Sequence, residues 1–190
     1  MNTRILRNRM LPLALAATLT AIAAPAAAAD YVQSSGALSF ASEYQGETFV
    51  GLFPDFRATL SFDPAAPQDA KLEVTIPLAT ADSKNGDRDG TLKTADFFNV
   101  AKFATARYTA SGFRSLGDHR YVADGTLELR GVKRPVALTI TWTPGRQPVL
   151  VGNATVKRLD FGVGAGDWGD VSIIPDDVAI STKVTFAPAP

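Results

Sequence analysis

The sequence predicts an all-β protein built as an eight-stranded antiparallel barrel with one short helical plug. Most of the chain alternates apolar and polar residues with a period of two, which is typical of half-buried strands. Hairpin-length turns separate these segments, and hairpin-linked strands are antiparallel. One segment, residues 91–109, interrupts the alternation with a dense group of phenylalanines. Eight strands close into a barrel that is able to hold one small ligand.

The start of the chain predicts a secretory leader. Three arginines within the first nine residues precede an uncharged apolar run at 10–24, and three alanines at 27–29 form a cleavage site. The run is short of the ~20 residues of a membrane-spanning helix, although a retained anchor is the alternative. We expect residues 1–29 to be a signal peptide and residues 30–190 to be one domain in the periplasm.

Composition excludes several classes of function for the domain. Without the three leader arginines, 16 basic side chains face 19 acidic ones, which disfavours nucleic acid and anionic membrane surfaces. The chain has no cysteine, so neither disulfides nor thiolate metal sites are available. Asp87, Asp89 and Asp96 lack the spacing of a metal-binding loop. His119, the single histidine, lies in a predicted turn without a partner for catalysis.

Turns and breaks in the alternation separate the predicted strands. Alternation covers residues 31–44, 46–53 continuing over 56–62, 72–78, 104–110, 120–130, 136–143, 148–159 and 178–186. The first strand places Leu38, Phe40 and Ser42 on one face. The break at Pro54-Asp55 is typical of a bulge or a barrel corner. We place the plug after a polar loop at 81–90, with Asp96 as the cap of its helical turn.

Small residues on the inward faces indicate a cavity. Ala106 on one strand faces Ala123 and Gly125 on its hairpin partner, and large apolar side chains surround them. This arrangement favours an apolar tunnel for a long hydrocarbon, although small residues equally accommodate a plug or the barrel taper. The predicted lining residues are Phe40, Phe53, Phe56, Phe62, Phe97, Phe98, Phe103, Ala106, Tyr108, Ala123, Leu127, Leu129, Leu138, Trp142 and Trp168.

Four motifs resemble the YceI-like family in order and spacing. They are FDP at 62–64, DRDGTLKTADFFNVAKF at 87–103, GTLELRGVKRPV at 125–136 and RLDFGVGAGDW at 158–168. The resemblance implies an extended, lipocalin-like barrel in the periplasm that binds polyisoprenoid chains or the tails of isoprenoid quinones. Because the inward rows carry almost no ionisable group and the chain has no catalytic or metal-binding motif, we expect no enzymatic activity, no metal and no cofactor other than a bound isoprenoid lipid or quinone.

The same resemblance suggests a partner and two departures. The end of the chain is most similar to family members found beside b-type cytochromes of the inner membrane, so such a cytochrome is an expected partner. Ala104 follows Phe103 where the family usually has proline, and residues 34–36 replace a histidine of many members. A headgroup contact at that histidine is therefore missing or altered here.

Three classes of function stay open on the sequence. The first is a periplasmic carrier or store for a long-chain isoprenoid lipid, which acts by burial. The second is a cyclase or isomerase, which would need ionisable groups on the inner face. The third is an interaction module for the cytochrome. Arg130, Lys133 and Arg134 are either headgroup contacts at the barrel mouth or ordinary outward charges.

The leader prediction has a direct test. The exported protein should begin at Asp30, because the alanines at 27–29 supply the small residues at −3 and −1 of a cleavage site. Intact-mass measurement of protein from the periplasmic fraction checks this. A chain that keeps residues 1–29 after export would contradict it.

Overall fold

The computed structural model of the protein describes residues 28–190, so the predicted leader lies almost wholly outside the described residues. Within them the chain forms ten strands and one α-helix. In chain order these are β1 Ala29–Tyr44, β2 Glu47–Leu52, β3 Arg57–Phe62, β4 Lys71–Pro77, α1 Gly86–Lys93, β5 Thr105–Ser111, β6 Phe113–Gly117, β7 Arg120–Leu129, β8 Val132–Thr143, β9 Val149–Lys157 and β10 Asp177–Pro188. Short 3₁₀ turns occupy Pro67–Asp69, Leu78–Thr80, Arg158–Phe161 and Gly166–Trp168.

Eight of the strands form a closed antiparallel barrel, which confirms the predicted fold class. Their order is β1-β3-β4-β5-β7-β8-β9-β10, and β10 pairs back to β1. The two remaining strands extend this ring. β3 pairs with residues 29–32 of β1 and β2 with residues 39–44, so one long strand serves both. β5 and β6 share β7 in the same way.

Two-residue turns set the register of three hairpins. Gln45-Gly46, Asp118-His119 and Arg130-Gly131 all have positive φ at both residues. That conformation is typical of the type I′ turn, whose twist matches the twist of the strands it joins. His119 is an exposed residue of the β6–β7 turn, as the sequence predicts. In the resulting register the odd residues of β7 and the even residues of β8 share the inward face.

A bulge in β1 changes which side chains face inward. The pairing of β1 with β10 shifts register between Gln33 and Ser35, so Ser34 is an extra residue on β1. Before the bulge, Tyr31 packs on the Trp142 ring inside the barrel, with ring centroids 5.7 Å apart. After it, Leu38 is buried against the core. Ser34 is exposed, and its hydroxyl donates to the Thr185 carbonyl on the outside.

Aromatic side chains fill one end of the barrel. Phe62 lies at the centre of this group, with ring centroids 5.2 Å from both Tyr121 and Trp142 and 5.4 Å from Phe113. The Phe186 side chain is fully buried beside them. This end therefore contains a solid core, and free volume is left for the opposite end.

Two glycines on the inward face make room for aromatic rings. A methyl group added at Gly125 would overlap the Tyr108 ring, and one added at Gly51 would overlap the Phe40 ring. At these two positions the glycines accommodate aromatic rings of neighbouring strands and leave no free volume. Ala104, which would share the face of Ala106 if the strand began earlier, precedes β5 and is exposed.

The helix begins earlier in the chain than the sequence predicted. α1 covers part of the expected polar loop, and the Asn85 side chain caps it by accepting from the Arg88 amide at 3.0 Å. Asp96 as the helix cap is wrong, because residue 96 lies in the exposed turns that follow. No helix formed by residues 28–190 is long and apolar enough to cross a bilayer.

The ring over Gly125 gives a test of the packing. Gly125→Ala should destabilise the fold by about 1–3 kcal/mol, because the methyl group forces the Tyr108 ring out of position. Gly90→Ala is the matched control: it lies in α1 with open space around it and should stabilise by about 0.5–1 kcal/mol. Urea unfolding of both variants measures the difference, and equal stabilities would contradict this packing.

Candidate functional site: an apolar cavity under two covering loops

The half of the barrel opposite the aromatic core encloses a cavity of about 200 Å³. Inward-facing side chains from all eight barrel strands and from β2 line it. Apolar lining residues include Leu38, Phe49, Ala58, Leu72, Val74, Ile76, Val136, Leu150, Ala154, Val156, Val178, Ile180, Val184 and Phe186. A wall of branched and aromatic carbon atoms offers water few hydrogen bonds, so the cavity suits an apolar guest.

Two loops cover this end of the barrel. Leu92, Phe97 and Phe98 from the region of α1 reach the cavity from one side, and Val163 and Ile174 from the β9–β10 loop reach it from the other. The loops also bond to each other, since the amide of residue 164 donates to the carbonyl of residue 96 at 2.7 Å. The cover is thus a joint structure of both loops.

Buried Arg158 holds the β9–β10 loop in place. The residue is only 4% exposed, and its guanidinium donates five hydrogen bonds to main-chain carbonyls at 2.5–3.1 Å. The acceptors are the carbonyls of Val163, Gly164, Trp168, Ile174 and Pro175. Burial lowers the pKa of Arg158 from its ordinary value, while nearby Asp176 opposes that shift. A guanidinium saturated in this way organises a loop that lacks strand or helix pairing.

The acidic residues near this turn differ in their roles. Asp160 is exposed. The Leu159 amide instead donates to Asp176 Oδ1 at 2.9 Å. Arg158 was missed because its acceptors are spread over thirteen residues and meet only when the loop folds.

Ser83 ties the second loop together. Asp89 accepts from the Ser83 amide at 2.8 Å and from its hydroxyl at 2.6 Å. Arg88 Nε donates to the Ser83 hydroxyl at 2.8 Å, and its guanidinium lies 4.1 Å from the centre of the Phe49 ring. The polar residues before the plug therefore brace the wall of the cavity, since Phe49 lines it.

Tyr108 is the second ionisable residue among the described residues that line the cavity, beside Arg158. Its hydroxyl lies 3.0 Å from the Ala123 carbonyl and 3.1 Å from the Val136 carbonyl. Burial raises the pKa of Tyr108, and Asp124 adds to the rise, so the phenol stays neutral. A neutral phenol that is already bonded to the backbone is a structural part of the wall rather than a base.

Most of the residues predicted to line the cavity are found on its wall. The ten that lie there are Phe40, Phe53, Phe56, Phe97, Phe98, Ala106, Tyr108, Leu127, Leu129 and Leu138. They come from β1, β5, β7, β8, the β2–β3 connection and the covering loop after α1. For the strand residues, the alternation pattern identified the inward side. Whether each contacts a ligand stays a prediction.

The other five predicted residues lie away from the wall. Phe62 and Trp142 belong to the aromatic core at the other end. Ala123 is fully buried without reaching the cavity. Phe103 is half-buried beside Gly131, and Trp168 packs on the Phe97 ring with centroids 5.4 Å apart. Alternation identifies the inward face of a strand but gives no depth along the barrel, which explains these placements.

Sequence reasoning also left Ser42 out of the predicted site. Ser42 lines the cavity, and its hydroxyl oxygen is buried without a hydrogen-bond partner. The signal was present, because Ser42 shares the predicted inward face with Leu38 and Phe40. Within residues 28–190, no group of three or more His, Asp and Glu side chains is arranged to hold a metal ion.

Comparison with known sequences identifies relatives along nearly the whole domain. The YceI-like domain model matches residues 30–186. A UPF0312 protein of Azotobacter vinelandii is 33% identical over 171 residues, which cover 84% of this chain and 88% of the relative. UPF0312 protein Shew185_3055 of Shewanella baltica is 32% identical over 171 residues and covers 83% and 88%.

Solved structures share the barrel. BcnA of Burkholderia cenocepacia superposes with a TM-score of 0.76 at 26% identity, covering 79% of this chain and 95% of BcnA. A domain from Saccharophagus degradans, described as a polyisoprenoid binding domain implicated in plant cell wall breakdown, gives 0.65 at 16% identity and covers 84% and 98%. The second likeness is one of fold.

The role of Arg158 is open to a stability measurement. Arg158→Met should cost about 3 kcal/mol or more, because it leaves buried carbonyls without a donor. Amide hydrogen exchange at 162–176 should quicken at the same time. Arg114→Met, which breaks only an exposed pair with Asp124, is the matched control and should change stability little. Unchanged exchange in the loop would show that other contacts hold it.

Proposed function

Because the chain belongs to the YceI-like family, we propose that it binds a long-chain isoprenoid lipid and carries or stores it in the periplasm. One observation carries the proposal: a cavity in the barrel whose described wall is apolar apart from five side chains, with two loops over its end. Such a site recognises hydrocarbon by burying it, and the class of ligand follows from the wall rather than from any reactive group.

The size of the cavity indicates how a long chain would enter. An engineered cavity of ~150 Å³ holds one benzene molecule, so about 200 Å³ accommodates only a short stretch of a prenyl chain. A longer guest requires wall side chains to move. Phe53 of the β2–β3 connection and Phe98 of the covering loop after α1, whose ring centroids lie 6.0 Å apart, are the natural ones to rotate.

The energy available from burial is sufficient for tight binding. A prenyl chain that removes several hundred Å² of apolar surface from water gains on the order of 10 kcal/mol before association entropy is subtracted. Ring rotation and loop opening reduce this figure. The named domain of Saccharophagus degradans is described as polyisoprenoid binding, and the shared fold makes a polyisoprenoid the first ligand to test.

The predicted leader supports the periplasmic part of the proposal. A chain without cysteine relies on its core and its closed hydrogen-bonded ring for stability in an oxidising compartment. Carriage between membranes also requires the lipid to be shielded from water on the way. A barrel with one solid end and one covered end provides that shielding.

A cyclase or isomerase is less well supported by this wall. The ionisable side chains among the described lining residues are Tyr108 and Arg158, and both are already bonded to backbone carbonyls. Cyclisation needs a group that can give or take a proton beside the substrate. We therefore propose binding without chemistry.

An exposed apolar rim favours contact with a membrane-bound partner, of which an inner-membrane b-type cytochrome is the candidate. Tyr44, Val171 and Ile173 are 41%, 54% and 40% exposed. The amide of residue 45 donates to the Ile173 carbonyl at 2.9 Å, so these side chains lie close together. Co-purification of the cytochrome with and without added lipid separates a docking role from simple carriage.

Filling the cavity tests the lipid proposal. Ala106→Phe should abolish lipid uptake, because the new ring occupies the volume that the chain would take; overpacking should cost about 1–3 kcal/mol of stability. Native mass spectrometry of protein incubated with a polyprenol, followed by lipid extraction, measures the uptake. Ala137→Phe, an exposed position on the outside of β8, is the control and should bind normally.

A second filling variant keeps the test decisive. Ala154→Phe fills the same cavity from β9 and replaces the first variant if Ala106→Phe does not fold. Wild-type uptake in a folded filling variant would contradict binding in the cavity. A wild-type protein that takes up no amphiphile at all would contradict the proposed function itself.

A further inference from the structure

The polar side chains of the cavity wall are nearly all committed to the protein itself. Thr182 Oγ1 donates to the Ala37 carbonyl at 2.9 Å, and Ser39 donates to the Ser181 carbonyl at 3.2 Å. The Tyr108 hydroxyl is shared between two carbonyls. All five N–H groups of Arg158 are used within the covering loop. None of these groups has a donor left for a guest.

Ser42 is the exception among the described lining residues. Its hydroxyl oxygen is buried and has no hydrogen-bond partner. A buried polar atom that lacks a partner costs about 1–3 kcal/mol, so a native structure that retains one calls for an explanation. A ligand that brings an oxygen to this hydroxyl would remove the cost.

The position of Ser42 suits the polar end of an amphiphile. It lies two residues before Tyr44, the exposed last residue of β1, and faces Phe49 of β2 across the pair. Gln33, which is paired with Phe186 at the bottom of the barrel, is nine residues away on β1. An extended strand therefore separates the two ends by on the order of 30 Å. A chain anchored at Ser42 has its tail directed at the aromatic core.

The charge of the wall restricts the headgroup. Arg158 is the only cation among the described lining residues, and its donors are occupied. Arg130, Lys133 and Arg134 do not line the cavity; Arg130 donates to the Phe97 carbonyl, and Lys133 pairs with Glu128 on the outside. Arg88, whose guanidinium lies 4.1 Å from the centre of the Phe49 ring, already donates two hydrogen bonds to Ser83. An anionic headgroup drawn beside Ser42 would lose its hydration and find no cation with free donors on the described cavity wall.

We propose that Ser42 hydrogen-bonds the polar end of the bound lipid and that the cavity prefers a neutral headgroup, such as an alcohol or a quinone carbonyl, to a diphosphate. This inference rests on the proposed lipid-binding function. It assigns Ser42 a role in specificity, while the apolar wall supplies most of the affinity.

Three C20 probes separate headgroup from tail: geranylgeraniol, geranylgeranyl diphosphate and the headless hydrocarbon phytane. In the full-length mature protein, geranylgeraniol should bind most tightly of the three. Ser42→Ala should weaken the binding of geranylgeraniol about tenfold, equivalent to about 1.4 kcal/mol, and leave the affinity for phytane unchanged. Ser34→Ala removes a hydroxyl on the outside of the same strand and should change neither. Competition against a fluorescent fatty probe gives the dissociation constants.

Several outcomes overturn the inference without touching the proposed function. The first is that Ser42→Ala weakens the binding of geranylgeraniol and phytane equally, and the second is that it weakens neither. The third is that the wild-type protein binds the diphosphate as tightly as the alcohol or more tightly. If Gln33→Leu rather than Ser42→Ala selectively weakens geranylgeraniol binding, the headgroup lies at the end of the barrel that holds the aromatic core. The Gln33 amide oxygen is also buried without a partner. If the wild type binds none of the three probes, the proposed function fails as well.

Discussion

Closure of the barrel by β1 and β10 is the constraint on which the rest of the structure depends. The two strands pair at ten positions along nearly their whole length, and this pairing removes both edges of the sheet. Because the ring contains eight strands, its interior is only wide enough for side chains or one thin ligand. Every inward residue therefore either fills the interior or borders whatever space remains. The position of large side chains along the axis decides which of these it does.

The interior is packed differently at the two ends of the barrel. At one end, Phe62 and the rings around it interlock at centroid distances near 5 Å and leave no room for a guest. At the other end, the inward side chains leave a cavity between them, and the loops that cover it are held by hydrogen bonds to one guanidinium and one serine. Polar contacts of loops are more easily broken than a packed aromatic core. The covered end is consequently the end of the barrel that opens more easily.

The alternation of residues along the chain was sufficient to predict the barrel, because a two-residue period with hairpin turns leaves few other folds. It was sufficient for Phe40, Ala106 and Leu138, which lie on inward faces in the open half. It failed for Trp142, because period alone does not say how deep an inward residue lies. The helix was misplaced because Leu92 is its single buried residue, so α1 has no apolar stripe to recognise.

The arginine of the covering loop could not be predicted for a different reason. A sequence shows a cation beside an acidic residue, and Asp160 offered an obvious local partner. The actual partners of Arg158 are carbonyls, which every residue possesses and which carry no mark in the sequence. The sequence likewise does not show whether the space beside an inward glycine is empty or is filled by an aromatic ring. These features depend on how the loop and the rings are placed in space.

The extra residue at Ser34 changes which residues of β1 point into the barrel. Odd-numbered side chains point into the barrel before it and even-numbered ones after it, because a bulge consumes one residue without advancing the ladder. Loss of this one residue would restore regular alternation and leave Leu38, Phe40 and Ser42 pointing inward, because the pairings of β1 on either side of the bulge would be unchanged. A relative that lacks one residue here can therefore keep the same inward side chains, whereas a first strand of equal length without the bulge would present the opposite set.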